Sequence, residues 1–216
     1  MIRGVCFDMD GLLFDTESLG ADKMRDAVAL QGYQLDSVPW EECLGQNDAS
    51  IKAALRRWFA GIDTERFFAD WWSLMLKHIR EKGVPEKAGA REALESLRTH
   101  GFRTALATSS SVGTVQEYLD INGFGPLFDV IVTGDRVAHG KPAPDIYLRA
   151  AELLQLAPTE CAGVEDSLNG VKAVRAAGMR SVMIPDLLPY GPDFAPYVDV
   201  RLNSLHELLG ALEEKE

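Results

Sequence analysis

From about Gly89 onward the chain alternates short apolar runs with segments of helical period, and this alternation constrains the fold more than any other feature. The runs at 103–108, 128–132, 161–164 and 180–184 read as strands, with a short one at 198–202. The stretches 90–100, 112–122, 145–154, 167–177 and 204–213 read as helices. Nearly continuous apolar strands separated by helices predict a parallel sheet covered on both faces. Residues 3–7 form one more buried strand, yet the next lies almost a hundred residues later. Between them, 19–31, 49–60 and 65–81 carry apolar residues at helical spacing, which predicts an inserted helical module.

With 216 residues, 46% of them hydrophobic, the chain can bury a substantial core beside such an insert. A net charge of −11 argues against nucleic acid as a bulk partner, because phosphate backbones are gripped by Lys/Arg patches. A small phosphorylated ligand remains compatible, since a local site can be positive within an acidic protein. No run of about 18 apolar residues is present, and the first strand begins without a basic region, apolar run and cleavage site ahead of it. The expectation is therefore a soluble, cytoplasmic protein with no membrane partner. A monomer or weak dimer is expected as well. Cys6, Cys43 and Cys161 show no paired spacing and read as buried small hydrophobes.

The run Val5-Cys6-Phe7 leads into Asp8-Met9-Asp10-Gly11, with Asp15 closing the pattern Asp-x-Asp-Gly-x-x-x-Asp. Strand side chains alternate, so two acids two residues apart point the same way and repel. Such a pair is tolerable if a cation sits between them, or if one acid carries a proton that a reaction uses. Alone, the motif is most simply a turn former. Its company raises it: Thr108 to Ser110 after a second strand, Lys141 in Gly-Lys-Pro, and Glu165-Asp166 after a third. Each has its own ordinary reading as a helix cap or loop. In doubly wound sheets, however, ligands bind at the carboxyl ends of the strands, where Asp8, Thr108 and Glu165-Asp166 all fall.

Together these groups suit phosphoryl transfer, which needs a nucleophile, neutralisation of phosphate oxygens and a proton for the leaving group. A carboxylate such as Asp8 can attack phosphorus, and Asp10 can give and later take the proton. Glu165 and Asp166 with Asp8 suggest a hard-cation site of the kind that suits Mg²⁺. Thr108 offers a hydroxyl, the backbone N–H groups at Ser109 and Ser110 open a helix, and Lys141 supplies positive charge.

The blocks at 8–15, 106–110, 140–145 and 164–167 resemble the four motifs of the haloacid dehalogenase superfamily over nearly the whole chain. With the helical insert between the first two motifs, the chain is similar to the capped branch containing β-phosphoglucomutase and sugar-phosphate phosphatases. The resemblance implies an α/β fold whose Rossmann-like core is formed by 1–15 and 89–216, with a helical cap domain over 16–88. It implies Asp8 as nucleophile and Asp10 as acid/base, with Mg²⁺ held by Asp8, Asp10 through its carbonyl, Asp166 and Glu165. Thr108, Ser109 and Lys141 would bind the phosphoryl group of a small phosphorylated metabolite. Asp10 favours phosphate esters, since the superfamily's dehalogenases lack that acid. The regions where the mutase carries a cap histidine and arginine read here Asp15 to Gly20 and Gly45 to Asp48, without either residue, which favours hydrolysis over a sugar phosphomutase. A non-catalytic binding module on the same fold is a third reading, although no catalytic acid is missing. Gln46, Asn47 and Asp48 are the candidates for selectivity, and the aromatics from Trp58 to Trp72 read as core of the helical bundle.

Overall fold

In the computed structural model of the chain, residues 1–43, 48–187 and 189–213 are described. They separate into two compact units, one formed by residues 1–15 with 86–216 and the other by 16–85.

The first unit is built on six parallel strands in the order β3-β2-β1-β4-β5-β6. These are β1 (Gly4–Phe7), β2 (Arg103–Thr108), β3 (Val130–Thr133), β4 (Cys161–Glu165), β5 (Arg180–Met183) and β6 (Val200–Arg201). The helices of this unit are α4 (Ala90–Thr99), α5 (Val112–Asn122), α6 (Asp145–Leu154), α7 (Leu168–Ala176) and α8 (Leu208–Glu213). Strands β1 and β4 are buried along their whole length, as their apolar runs require of the centre of a sheet covered on both faces. Helices α6 and α7 cover one face: Ile146, Tyr147, Ala150, Ala173 and Val174 pack on Cys6, Ala105, Ala107 and Cys161. Helix α4 packs on β2 and on α8. The strand order reverses between β1 and β4, paired from Gly4↔Cys161 to Phe7↔Val164, so the crevice at their carboxyl ends is the switch point at which such sheets bind ligands.

The second unit holds α1 (Thr16–Ala29), α2 (Asp48–Trp58) and α3 (Thr64–Lys82). Its core joins Met24, Val28, Ile51, Leu55, Phe59, Phe67 and Phe68, with Trp58 and Trp71 packed against it. The Asp63 side chain caps α3 by accepting from the Glu65 and Arg66 amides at 3.1 and 3.0 Å, and Trp71 Nε1 donates to the Gly20 carbonyl at 2.8 Å. Trp72 differs from its aromatic neighbours in being 51% exposed.

Strand 128–132 begins later than its apolar run suggests. Gly125–Leu127 forms a 3-10 turn, and Asp129 turns its side chain onto the Thr104 amide at 2.8 Å, so pairing starts at Val130. The three cysteines are buried and free. No helix among the described residues is long and apolar enough to cross a membrane.

Candidate active site

Strand β1 delivers its chain straight into the switch-point crevice, where the Asp8 amide donates to the Val164 carbonyl at 3.1 Å. Beyond Asp10 the backbone doubles back: Gly11 adopts φ 78°, open to glycine and strained for other residues, and its amide donates to the Phe14 carbonyl at 2.9 Å. This turn leaves Asp8 buried and Asp10 half-buried.

Lys141, at 7% side-chain exposure, joins the first motif to the fourth. Its Nζ donates to Asp8 Oδ1 at 2.5 Å and to Glu165 Oε1 at 2.6 Å. Glu165 is fully buried at the end of β4. Its Oε1 also accepts from the Tyr147 hydroxyl at 2.6 Å, and its Oε2 accepts from Ser167 Oγ at 3.1 Å. A buried charge is stable only when paired and hydrogen-bonded, and this carboxylate is both. The two negative partners keep the Lys141 ammonium protonated far above its ordinary range, against the burial that would discharge it. Ser167 also caps α7 through the Gly170 amide at 3.1 Å.

Thr108, buried at the end of β2, accepts from the Ser110 amide at 3.1 Å, and Ser110 Oγ donates to Asp10 Oδ2 at 2.7 Å. The second motif therefore reaches the first through the Ser110 hydroxyl. Asp8, Glu165 and Asp166 each offer a carboxylate oxygen, all within 4.8 Å of one another. Burial, opposed by Lys141 and reinforced by the charges of Glu165 and Asp10, pushes the Asp8 carboxyl up to about 7. Burial and the charges of Glu165, Asp8 and Asp186 hold the Asp166 carboxyl well above its usual range. Packed carboxylates in excess of the lysine beside them, at this spacing, fit one small hard cation with oxygen ligands at about 2 Å, and Mg²⁺ meets that description.

Four side chains at the site were not singled out from the sequence. Tyr147 reads as an apolar position of a helix, and only its hydroxyl on Glu165 reveals it. Ser110 was identified for its amide, whereas its hydroxyl holds Asp10. Lys87 donates to Asp186 and lies 3.6 Å from Asp15 Oδ1, and neither Lys87 nor Asp186 belongs to a motif. Of the selectivity candidates, Gln46 and Asn47 lie outside the described residues, and Asp48 is exposed at the first residue of α2. His139 is exposed and pairs with Asp145 at 2.9 Å.

A family model described as haloacid dehalogenase-like hydrolase matches residues 2–178. The chain is 33% identical over 191 residues to the phosphorylated carbohydrates phosphatase of Thermotoga maritima, covering 84% of each. It is 30% identical over 207 residues to the bifunctional riboflavin kinase/FMN phosphatase of Arabidopsis thaliana. That alignment covers 94% of the chain and 54% of the relative, so the chain spans about half the length of that protein. Among solved structures, a presumptive β-phosphoglucomutase of Thermotoga maritima superposes with a TM-score of 0.85 at 30% identity, covering 100% of both chains. The strand order, the strand-end motifs and these likenesses agree: the chain belongs to the haloacid dehalogenase-like hydrolase family and is an enzyme of that family.

Proposed function

We propose that the chain is a Mg²⁺-dependent phosphatase that hydrolyses a small phosphomonoester, a sugar phosphate or related metabolite, through a covalent intermediate on Asp8. The observation that supports this reading is the Lys141 bridge between Asp8 and Glu165, which brings an ammonium group and two carboxylates together beside Asp166 in one buried crevice. The activity named for the Thermotoga maritima phosphatase supports the substrate class.

Asp8 attacks phosphorus, and the bond from phosphorus to the ester oxygen breaks as the new carboxylate–phosphorus bond forms. Asp10 gives its proton to the departing alkoxide. It then takes a proton from the water that attacks the aspartyl-phosphate, releasing inorganic phosphate and regenerating the Asp8 carboxylate. Ser110 holds Asp10 through Oδ2. Thr108, the Ser109 amide and Lys141 receive the phosphoryl oxygens, and Glu165 with Tyr147 keeps Lys141 aimed at Asp8. Asp8, Asp166, the Asp10 carbonyl and Glu165 would hold Mg²⁺, which when bound would neutralise phosphoryl charge. Gln46, Asn47 and Asp48 remain the proposed selectors of substrate.

A panel of phosphorylated sugars and related metabolites, scored for phosphate release, tests the reading. Release should need Mg²⁺, stop on chelation and return on adding the metal back; full activity in metal-free protein would contradict it. A mutase is separated by supplying β-glucose 1-phosphate, Mg²⁺ and catalytic glucose 1,6-bisphosphate. Free phosphate should dominate, and glucose 6-phosphate forming much faster would overturn hydrolysis. A mutase would need a cation to grip the second phosphate, for which Lys52 and Arg56 of the helical unit are the first candidates; Lys52 is paired with Glu65 at 2.8 Å and Arg56 donates to Thr64 at 2.8 Å.

The acidity of Asp8 adds a pH test. With its carboxyl at about 7 in metal-free protein, a proton competes with the metal below that pH and not above it. Mg²⁺ binding followed by calorimetry should tighten by about tenfold from pH 6 to pH 8, with proton release at the lower pH. Affinity independent of pH across that interval would remove Asp8 from the metal's ligands.

A further inference from the structure

Asp186 follows β5, in the loop beyond Ile184, and its side chain is only 7% exposed. Its Oδ1 accepts from Lys87 Nζ, whereas its Oδ2 is buried with no hydrogen-bond partner. A carboxylate oxygen shut away from water without a donor is costly, so it calls for one. The direction in which it points supplies the candidate. A Cβ placed on Gly11 would lie 2.4 Å from Asp166 Oδ2 and 3.2 Å from Asp186 Oδ2, so both oxygens border the same small space above the turn that follows Asp10.

Lys87 approaches Asp186 through the other oxygen and is itself pinned, since its amide donates to the Leu13 carbonyl at 2.9 Å and its ammonium lies 3.6 Å from Asp15. The Asp186 carboxylate is thus clamped on one side and unpartnered on the side facing Asp166. It is not among the three acids whose oxygens lie within 4.8 Å of one another, so a direct bond to the same ion is not its role. Mg²⁺ sheds its waters reluctantly and keeps several of them beside one or two carboxylates.

We infer that Asp186 is a further residue of the cation site, its Oδ2 accepting a hydrogen bond from a water bound to Mg²⁺ while Lys87 fixes it in place. The inference rests on the Mg²⁺ reading above. The ordinary alternative is that Asp186 serves only as the ionic partner of Lys87.

Calorimetric titration of the phosphate-free protein with MgCl₂ at pH 8 separates the two. Asp186→Asn should weaken Mg²⁺ binding by about 10- to 100-fold, the usual loss when an outer-shell partner of a metal is removed. Lys87→Met breaks the same ion pair but leaves the carboxylate, so its loss should be much the smaller. Asp186→Ser, smaller than the amide, carries the same expectation and covers the case in which Asp186→Asn does not fold, which the melting temperature of metal-free protein reports. Parental affinity in the Asp186 variants overturns the inference, as does a loss in Lys87→Met equal to theirs. If the parent protein itself binds no Mg²⁺, the metal reading fails and the role of Asp186 falls with it.

Discussion

Asp8→Asn should lower phosphate release by at least about a thousandfold, equivalent to about 4 kcal/mol of barrier, while leaving the fold intact. An amide is a poor nucleophile toward phosphorus and a poor ligand for a hard cation, so one substitution removes two functions. The fold should survive because the ionised carboxylate opposes folding at neutral pH. The Asp8 carboxyl, at about 7 in the folded chain, lies above the unfolded value near 4, so stability falls as pH rises between those values and the loss is complete above the upper one. A neutral amide avoids that loss, and Lys141 retains Glu165 as its partner. Metal-free Asp8→Asn should therefore melt at pH 8 no lower than its parent. Activity within about tenfold of the parent would exclude Asp8 as nucleophile.

Gly170→Ala should be strongly destabilising. Gly170 lies in the first turn of α7, and a Cβ there would meet Glu165 Cδ at 1.8 Å and its two carboxylate oxygens at 2.0 and 2.1 Å. Glu165 cannot yield without breaking its bonds to Lys141, Tyr147 and Ser167, and disrupting a buried ionic network costs about 3–5 kcal/mol. At the lower figure the melting temperature should fall by about 6–12 °C. Phosphate release should fall with it, because displacing Glu165 releases Lys141. Gly113→Ala is the matched control: Gly113 is also helical, in α5, yet nothing lies within 4 Å of its added Cβ. There the change should be neutral or stabilising by about 0.4–1 kcal/mol. Equal effects at the two positions would refute the steric argument at Glu165.

The parts of the site that were legible in the sequence are those with a local signature. Asp8 and Asp10 stand out because two acids and a glycine interrupt an apolar run, and the sheet brings Lys141 and Glu165-Asp166 to them because each motif ends or follows a strand. The parallel order itself follows from alternation of strand and helix. What was not legible depends on partners far apart in sequence. Lys87 and Asp186 are 99 residues apart, and no periodicity or turn chemistry marks either. Tyr147 occupies a buried helical position that any large apolar residue would satisfy, so the pattern carries no trace of its hydroxyl. The late start of β3 has the same origin, since Asp129 is drawn to an amide on the neighbouring strand. Likewise Trp71 and Trp72 are adjacent in an aromatic run, and only the packing of α3 shows that one is partly covered and the other exposed.

The central claim is that the phosphoryl group passes through Asp8, and trapping that intermediate tests it most directly. Parent protein turning over a phosphorylated sugar with Mg²⁺ is quenched in acid, reduced with borohydride and digested, and the peptides containing residues 8 and 166 are sequenced by mass spectrometry. An aspartyl-phosphate at that position is reduced to homoserine, so the account predicts homoserine at position 8 and aspartate at positions 10, 15 and 166. Aspartate retained at position 8 under steady turnover, or homoserine at another acid, would contradict it.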